Sequence, residues 1–524
     1  MVYNNSKIVK PTIVLVLLVF LFIGSRGVTD NDNFIIFTED IGGFTVSTTD
    51  GYTYFIGTNI SKVSLAKRLV SNVIEIYSSD SATKINFDGG ALTGDQSVLV
   101  VHPVSGGGPN CLELVTITTS DMQLRQDNCL KILSDNVFGP KIYMIKKDPN
   151  SSTTFYGVGY HVDYIGGVNT GIIIQFQVLD TYAISMLNFK KVNTSFTTTG
   201  TTKGWSSLDF DSTGSNLALS GILKSGSTTY WSVLSISKTL TTFNWMKYFN
   251  VKSSSSLILT FKEIKAYYDK STNSVIAVIL STNSYPSYYT LINVFSLSMT
   301  DGSTNWSSQF IDYGSANFVT VKSVINPIYG ELTLFFTDTE YKYYNIQAIS
   351  VKNGTMLTNM QVEVFKYYQI DKISVFPSQT SGTDSSDDLM DGVTGYIMKM
   401  NTRKANLDII DKTSLFRPLY SINYNNFTLP TSSPVDVETK SYSPASDFFY
   451  SETSYEINSL SYIYKNVSIP TLEVATDMMI YFSNTTDSVT VPNNSEFTLN
   501  QAHTKDNLMD DYISITFQLY KTTE

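Results

Sequence analysis

Short apolar runs dominate the pattern of hydrophobic and polar positions along this 524-residue chain. Runs of about four to eight β-branched and aromatic residues alternate with clusters of Gly, Asn, Asp and Ser, which is typical of strands joined by turns. One stretch, residues 61–76, has a loose helical spacing of apolar positions and is equally compatible with two short strands. The pattern therefore predicts an all-β chain.

A hairpin pattern recurs along the sequence: a strand, an acidic or Asn-Pro turn, and then a strongly apolar strand. The turn anchors recur at similar intervals, at Asp50, Asp95, Asp148, Asp211, Asp269 and Asn326. Four short strands with their loops need roughly 40–60 residues, which is the size of one propeller blade. A degenerate seventh unit begins near Ile373. The repeat predicts a seven-bladed β-propeller over residues 41–421.

One unit carries an aspartate, two glycines and a late tryptophan, at Asp211, Gly214, Gly221 and Trp245. In these residues the chain resembles the secreted β-propeller repeat proteins. A second late tryptophan, Trp306, ends the unit that follows. The resemblance implies a propeller fold and implies no activity.

The N-terminus has the pattern of a secretory signal peptide. Lys7 and Lys10 precede an apolar run over 11–23, and small residues precede a cleavage site after Gly27. We expect residues 1–27 to be removed, and an uncleaved anchor is the alternative. The mature chain would then be extracellular or at the cell surface. Within residues 28–40, the segment Phe34–Phe37 is expected to close the propeller by pairing with the last blade.

The sequence pattern changes after the repeats. Residues 422–434 are interpreted as a linker because they are rich in Pro, Asn and Ser. Residues 435–524 contain short alternating segments separated by regularly spaced turns, which predicts an immunoglobulin-like or cadherin-like β-sandwich.

Two cysteines, Cys111 and Cys129, flank a turn signal centred on Ser120. A hairpin folded there would bring them opposite each other, within reach of a disulfide. Because disulfides form in the secretory compartment, we expect the pair to be bonded. Two unpaired core thiols are the alternative.

The sequons Asn-x-Ser/Thr are candidates for N-glycosylation in a secreted chain. Their number is what chance predicts in a chain this rich in Asn, Ser and Thr. Asn150, Asn353 and Asn493 lie in polar, turn-like stretches and are the best candidates. The sequons are at Asn59, Asn150, Asn193, Asn305, Asn353, Asn426, Asn466, Asn484 and Asn493.

The formal net charge is −10 and only 16% of residues are charged. This charge balance argues against binding of nucleic acid through a basic patch. No motif of a catalytic triad, a zinc protease or a phosphate-binding loop occurs. Four clustered carboxylates could bind Ca²⁺, although a solvated loop is the favoured interpretation and no cofactor is expected. They are Asp384, Asp387, Asp388 and Asp391.

These features favour a secreted or cell-surface glycoprotein with a non-enzymatic role in binding, adhesion or structure. Its expected partners are a protein or a glycan outside the cell, with no nucleic acid and no membrane span after signal cleavage. Self-association into an extracellular filament is a further hypothesis, because low charge gives little repulsion between copies. The alternative hypothesis is a secreted propeller enzyme, a glycan hydrolase or lyase, with its site in the central funnel.

Overall fold

The computed structural model is all-β, with no helix among the residues that it describes. The stretch 61–76, for which a helix was one interpretation, contributes to two strands. The described residues are 34–37, 44–64, 69–78, 83–103, 111–133, 140–163, 168–192, 198–199, 204–225, 228–251, 259–283, 289–312, 320–326, 330–337, 343–363, 368–376, 395–402, 411–416, 437–442, 448–453, 455–467 and 472–473.

The first half of the chain supplies eighteen strands among the described residues. The first nine are β1 (Phe34–Phe37), β2 (Phe44–Ser47), β3 (Tyr52–Ile56), β4 (Ile60–Ser64), β5 (Leu69–Tyr77), β6 (Phe87–Leu92), β7 (Val98–Pro103), β8 (Leu112–Thr118) and β9 (Leu124–Ile132). The next nine are β10 (Lys141–Lys147), β11 (Thr154–Asp163), β12 (Val168–Val178), β13 (Ile184–Val192), β14 (Thr198–Thr199), β15 (Trp205–Phe210), β16 (Asn216–Ser225), β17 (Thr228–Ser237) and β18 (Phe243–Val251).

The second half continues in the same manner and ends with five short strands. It contains β19 (Leu259–Asp269), β20 (Ser274–Asn283), β21 (Tyr289–Ser298), β22 (Thr304–Asp312), β23 (Thr320–Asn326), β24 (Glu331–Thr337), β25 (Tyr343–Ser350), β26 (Met356–Glu363), β27 (Tyr368–Phe376), β28 (Gly395–Thr402) and β29 (Asp411–Phe416). The last five are β30 (Val437–Tyr442), β31 (Phe449–Ser451), β32 (Tyr455–Ser459), β33 (Ile463–Asn466) and β34 (Leu472–Glu473).

Consecutive strands pair antiparallel and form seven sheets within the described part of the chain. Sheets 1 to 6 are the four-stranded units β2–β5, β6–β9, β10–β13, β15–β18, β19–β22 and β23–β26, and β14 adds to the edge of β12. Sheet 7 contains β27, β28, β29 and the N-terminal strand β1, with Phe34 opposite Phe416. This is the closing position that the sequence predicts for Phe34–Phe37.

The first strands of the seven sheets form a closed ring. Neighbouring first strands contact each other from β2 through β6, β10 and β15 to β19, and β23 contacts β27, which returns to β2. Between β19 and β23, the hydroxyl of Tyr267 donates to the carbonyl of Ser323 at 2.6 Å. This closure produces a propeller-like arrangement in which the first strand of each sheet is the innermost one.

The core lies between the faces of neighbouring sheets. One cluster packs Val100 of sheet 2 with Phe155 and Phe176 of sheet 3, and the two rings stack 5.4 Å apart. Another packs Ile276 of sheet 5 with Leu332 of sheet 6. Each strand of this kind is apolar on both faces because each sheet is covered on both sides, which removes the alternation expected of a half-exposed sheet.

The late tryptophans join neighbouring sheets through the same contact. Trp245 on β18 donates its indole N–H to the carbonyl of Met299 at 2.8 Å. Its ring packs against Gly302 so closely that a Cβ at that position would lie 2.7 Å from the ring. Trp306 on β22 repeats both contacts with the turn at Gly354. Since both glycines also have positive φ, the turn favours glycine for its backbone conformation and for space.

The segment 437–473, which we call the belt, adds a fifth strand to the outer edge of five sheets. In chain order, β30 pairs with β18, β31 with β13, β32 with β9, β33 with β5 and β34 with β1, always antiparallel. The belt therefore passes sheets 4, 3, 2, 1 and 7 in turn. Adjacent strands rotate by roughly 20–25°, so the outer strand of a four-stranded sheet is turned far from the inner one and one chain can follow successive outer edges.

Buried contacts attach the belt to the sheets. Phe448 is fully buried between sheets 3 and 4, with its ring 5.3 Å from that of Phe243. Glu452 forms an ion pair with Lys191 at 2.6 Å, and the two side chains are only 8% and 3% exposed. The belt is thus part of the same folding unit as the sheets.

Two more buried carboxylates find belt partners on sheet 2. Tyr462 donates its hydroxyl to Glu113 and its backbone N–H to Asp127, and Ser459 also donates to Asp127. Burial, followed by Glu113, raises the pKa of Tyr462, so the hydroxyl remains a donor. The belt satisfies acceptors that the sheet buries beneath it.

The predicted sandwich over 435–524 is not confirmed. Its described strands belong to five different sheets, since each pairs with the edge of a sheet in preference to another belt strand. Residues 474–524, the linker 422–434 and the predicted signal peptide 1–27 lie outside the described residues. Within the described part, no helix is long and apolar enough to cross a membrane.

Replacing Glu452 by Ala should destabilise the fold by about 3–5 kcal/mol, because it leaves the buried ammonium of Lys191 without its carboxylate. Ser451→Ala is the matched control, because the hydroxyl of Ser451 accepts an exposed hydrogen bond from Lys190. Its loss should cost less than about 0.5 kcal/mol. Urea unfolding of the two variants measures the difference, and equal effects would show that the belt is not held by this pair.

Candidate functional site

The innermost strands carry a set of charged residues that contrasts with the rest of the chain. They hold seven lysines and five carboxylates, whereas the whole chain has a net charge of −10. The set contains Asp88, Lys141, Lys146, Lys147, Asp209, Lys262, Glu263, Lys265, Asp269, Lys322, Asp371 and Lys372. We call the ring of innermost strands the inner wall.

Five strands of the inner wall contain a β-bulge. In each, one residue is skipped in the pairing with the second strand of the sheet. The skipped residues are Asp88, Tyr143, Ser206, Lys262 and Asp371. Bulges redirect a side chain and bend the strand, and they are enriched beside functional sites. The repeat places them in one ring because each sheet presents its first strand to the centre.

Tyr143 is the best described of the bulge residues. Its ring stacks on that of Tyr160 with a centroid separation of 5.4 Å. Burial, then Tyr160 and then Asp88 raise the pKa of Tyr143, so its hydroxyl is uncharged at neutral pH. Tyr143 on the inner wall and Tyr160 on β11 therefore form an aromatic pair near Asp88 of the neighbouring sheet.

Lys146 and Asp209 connect three sheets at the inner wall. The ammonium lies 2.6 Å from Asp209 Oδ1, and Asp209 Oδ2 accepts the backbone N–H of Tyr268 at 2.9 Å. The two side chains are 39% and 17% exposed, so the pair is partly accessible to solvent. Such a pair alone adds little stability. Its accessible ammonium can bind an anion.

Asp209 lies two residues before the turn anchor Asp211, and the two carboxylates have different partners. Asp211 accepts hydrogen bonds from Thr213, Ser215 and Asn216 within the turn. Asp209 faces Lys146 of the neighbouring sheet instead.

The sequence analysis missed Asp88, Tyr143 and Lys146 as site residues. An alignment on the turn anchors would have found the signal, because Tyr143 and Ser206 occupy the same position ahead of the anchors Asp148 and Asp211. Residues at matching positions of successive units meet at the same place in the ring.

The expected disulfide between Cys111 and Cys129 is present, with a Cα–Cα distance of 5.4 Å. It lies across the β8–β9 hairpin, whose turn includes Ser120. Cys129 is directly opposite Glu113, so the cysteines are diagonal neighbours and not a facing pair. A bulge between Thr116 and Ile117 contributes one residue to this offset, and the position of the turn contributes the other.

No group of three or more possible metal ligands occurs among the described residues. The candidate calcium ligands Asp384, Asp387, Asp388 and Asp391 lie outside the described part, so that hypothesis stays a prediction. The described site thus offers ammonium groups, carboxylates and phenolic hydroxyls, which suit binding of a polar or anionic ligand and proton transfer.

The described sequons differ in whether their amide is available. Asn59 is 8% exposed, whereas Asn353 and Asn466 are exposed. The amide nitrogen of Asn150 donates to the carbonyl of Thr213 at 2.8 Å. The amide nitrogen of Asn305 likewise donates to two serines of its own sheet. Asn193, Asn426, Asn484 and Asn493 lie outside the described residues.

No known protein family and no curated protein matches the chain. Among solved structures, it is similar to a putative dipeptidyl aminopeptidase IV from Bacteroides ovatus, with 9% identity and a TM-score of 0.32 over 68% of this chain and 56% of that one. It is also similar to prolyl oligopeptidase B from Galerina marginata, with 11% identity and a TM-score of 0.33 over 84% of this chain and 54% of that one. The chain matches about half the length of each.

These comparisons correct one expectation. The sequence was interpreted as that of a protein without enzymatic activity, and both similar structures are those of peptidases. At this level the likeness carries no argument for a particular activity. An enzymatic activity is therefore no longer excluded for this chain, and no particular reaction is assigned to it.

For glycosylation, we expect Asn353 to carry a glycan and Asn150 to carry none when the full chain is secreted from a eukaryotic host. Asn353→Gln should remove one glycan mass. Asn150→Gln should leave the mass of the glycans unchanged and lower the stability by about 1 kcal/mol, because its amide joins two sheets. Glycopeptide mass spectrometry decides, and a glycan on Asn150 would contradict the prediction.

Glu331, at the start of β24, should make the stability depend on pH. Burial raises its pKa to about 6 from 4.5, so the folded chain binds this proton more tightly than the unfolded one. Its stabilising effect is complete below pH 4.5 and is lost as the pH rises through 6. Glu331→Gln should therefore match the wild type at about pH 4 and melt at a higher temperature at about pH 7.

Asp301→Asn is a control of opposite sign for Glu331. Hydrogen bonds from Ser303 lower the pKa of Asp301 to about 2 from 3.8. This stabilisation is present above pH 3.8 and is lost as the pH falls through 2. The Asp301 variant should therefore melt at a lower temperature than the wild type at neutral pH. If the melting temperatures of the Glu331 and Asp301 variants depended on pH in the same way, the pH dependence could not be assigned to these two carboxyl groups.

Proposed function

We propose that this chain is a secreted or cell-surface glycoprotein with a seven-bladed β-propeller, and that its inner wall binds an acidic glycan. The seven sheets and the ring of first strands support the number of blades. The signal-like pattern in residues 1–27 and the disulfide support the secretory route.

The proposal rests on the excess of positive charge on the inner wall. The wall has more lysines than carboxylates in a chain that is acidic overall. A concave surface with an excess of one sign of charge attracts ligands of the opposite sign. Carboxylate or sulfate groups on a glycan would meet Lys146 and Lys141.

The aromatic pair of Tyr143 and Tyr160 supports a sugar as the ligand. Aromatic rings present a flat apolar face, and phenolic hydroxyls add hydrogen bonds at their edge. A sugar ring has the same combination of an apolar face and a polar rim. A protein that binds an acidic glycan outside the cell would act in adhesion or in the structure of the extracellular matrix.

Turnover of the same glycan is the second candidate function, as a secreted hydrolase or lyase. Asp88 and Asp209 lie on the inner wall, and hydrolysis of a glycosidic bond uses two carboxyl groups. Asp88 also lies beside Tyr143, whose raised pKa keeps its hydroxyl protonated, so that it can donate a hydrogen bond to a sugar oxygen. In this case the wall would bind the glycan and then cleave it.

Lysine-to-glutamine variants test the binding site in the full chain. Lys141→Gln and Lys146→Gln should each weaken binding of an acidic polysaccharide such as polygalacturonate roughly tenfold, since each removes a charge-assisted hydrogen bond. Lys247→Gln is the control, because Lys247 lies on an outer strand and donates to Ser441 of the belt. Isothermal titration calorimetry measures the affinities. Equal losses in all three variants would overturn the inner wall as the site.

The same preparations decide between binding and turnover. A hydrolase would release new reducing ends from the polysaccharide, and a lyase would produce an unsaturated sugar that absorbs in the ultraviolet. Asp88→Asn should abolish either product while the polysaccharide still binds. Products that persist in this variant would remove Asp88 from the reaction, and binding without product would leave the adhesion role.

A further inference from the structure

We propose that Asp209 is a positioning residue of the inner wall, which holds the ammonium group of Lys146 in place for an anionic ligand. The inference rests on the proposed binding of an acidic glycan and adds the residue that orients the binding cation. In this role Asp209 would not be one of the two carboxyl groups that act on the sugar in the turnover hypothesis.

Both carboxylate oxygens of Asp209 accept hydrogen bonds. Oδ1 accepts from the ammonium of Lys146 at 2.6 Å and from the backbone N–H of Phe210 at 3.0 Å. Oδ2 accepts from the backbone N–H of Tyr268 at 2.9 Å. The three donors belong to sheets 3, 4 and 5, so the carboxylate is fixed from three directions.

The strand that carries Asp209 is itself bonded to the neighbouring sheet. On β15, the hydroxyl oxygen of Ser207 accepts the backbone N–H of Ala266 at 2.9 Å, and Ser207 is only 1% exposed. Ala266 lies two residues before Tyr268, so both N–H groups point to the same edge of β19. The carboxylate therefore rests on a rigid support, which a precise binding group requires.

The contact between Asp209 and sheet 5 is part of a series that the repeat creates. Lys146, Asp209 and Tyr267 each lie two residues before the turn anchor of their own sheet. Each of the three bonds to the next sheet, and Tyr267 does so through the carbonyl of Ser323 at 2.6 Å. Lys146 is the cation among these three, and its side chain is 39% exposed. It is therefore the member of the series that can meet an anion.

The bond to Asp209 prepares Lys146 for a ligand. An ammonium group has three N–H donors, and Asp209 accepts one of them. A flexible lysine side chain loses rotamer freedom when a ligand immobilises it. Asp209 removes part of this freedom before the ligand arrives, so binding costs less entropy.

Asp209 also has an electrostatic effect of the opposite sign. Its negative charge repels the anionic groups of an acidic glycan. If this charge alone mattered, removal of the carboxylate would strengthen binding. Positioning predicts weaker binding, because Lys146 would no longer be held. The direction of the change in affinity therefore separates the two effects.

The hydrogen bonds of Asp209 favour positioning over catalysis. In glycoside hydrolysis one carboxyl group gives a proton to the glycosidic oxygen, and the other attacks the sugar or activates water. The oxygens of Asp209 are directed instead at Lys146 and at the backbone of sheet 5. Asp88 would then need a different carboxyl group as its partner in turnover.

Calorimetric titration of the full chain with polygalacturonate tests the proposal. Asp209→Asn should weaken binding roughly threefold to tenfold, and no more than Lys146→Gln, because it acts through Lys146. Asp209→Glu keeps the charge and displaces the carboxylate by one methylene group, so it should weaken binding as well. Ser207→Ala is the matched control: it removes a bond between sheets 4 and 5 without touching Lys146 and should leave the affinity unchanged.

A double variant separates positioning from a general loosening of the structure. Asp209→Asn combined with Lys146→Gln should bind as well as Lys146→Gln alone, since Asp209 then has no ammonium to hold. A further loss of affinity in the double variant, or a comparable loss in Ser207→Ala, would overturn the positioning role. Unchanged or tighter binding by both Asp209 variants would also overturn it.

Failure of the proposed function has a different signature in the same experiment. Full affinity in Lys146→Gln would show that Lys146 does not bind the glycan, whatever the Asp209 variants do. Weaker binding by Lys146→Gln, with normal binding by both Asp209 variants, would keep the binding site and remove only the role of Asp209. Melting temperatures confirm that each variant is folded before its affinity is compared.

Discussion

The need to cover the edges of four-stranded sheets is the constraint on which this structure depends. A sheet has two faces and two edges, and a row of unpaired backbone groups at an edge invites pairing with another chain. Here the faces are buried between neighbouring sheets, the inner edges meet in a ring, and the belt covers five outer edges. The N-terminal strand β1 closes sheet 7 in the same way.

The belt also supplies partners for polar residues that the sheets bury. Glu113, Asp127 and Lys191 would each cost free energy if burial left them without partners. Their partners Tyr462, Ser459 and Glu452 come from a segment much later in the chain. Folding of the sheets and docking of the belt are therefore energetically coupled, and the belt acts as part of the core in spite of its position at the rim.

The low overall charge and the charged inner wall have the same structural origin. Most strands are buried on both faces, so they contain few charged residues, and the turns are stabilised by hydroxyl and aspartate side chains. The innermost strands border the centre of the ring, where side chains such as Lys146 stay partly solvated. Charge is thus retained on the strands that border the centre of the ring, which is why the wall is the candidate site.

The sequence alone determined the strands, the repeat, the turn anchors and the disulfide, because alternation and turn chemistry are local signals. It also indicated that Phe34–Phe37 closes the last sheet. It did not determine where residues 437–473 pair, since a short alternating strand has the same pattern in a sandwich and at the edge of a blade. The sequence also did not predict the candidate site, because only closure of the ring brings Asp88, Tyr143 and Lys146 to one wall with Asp209. Pairing partners and shared walls are non-local, and only the tertiary structure decides them.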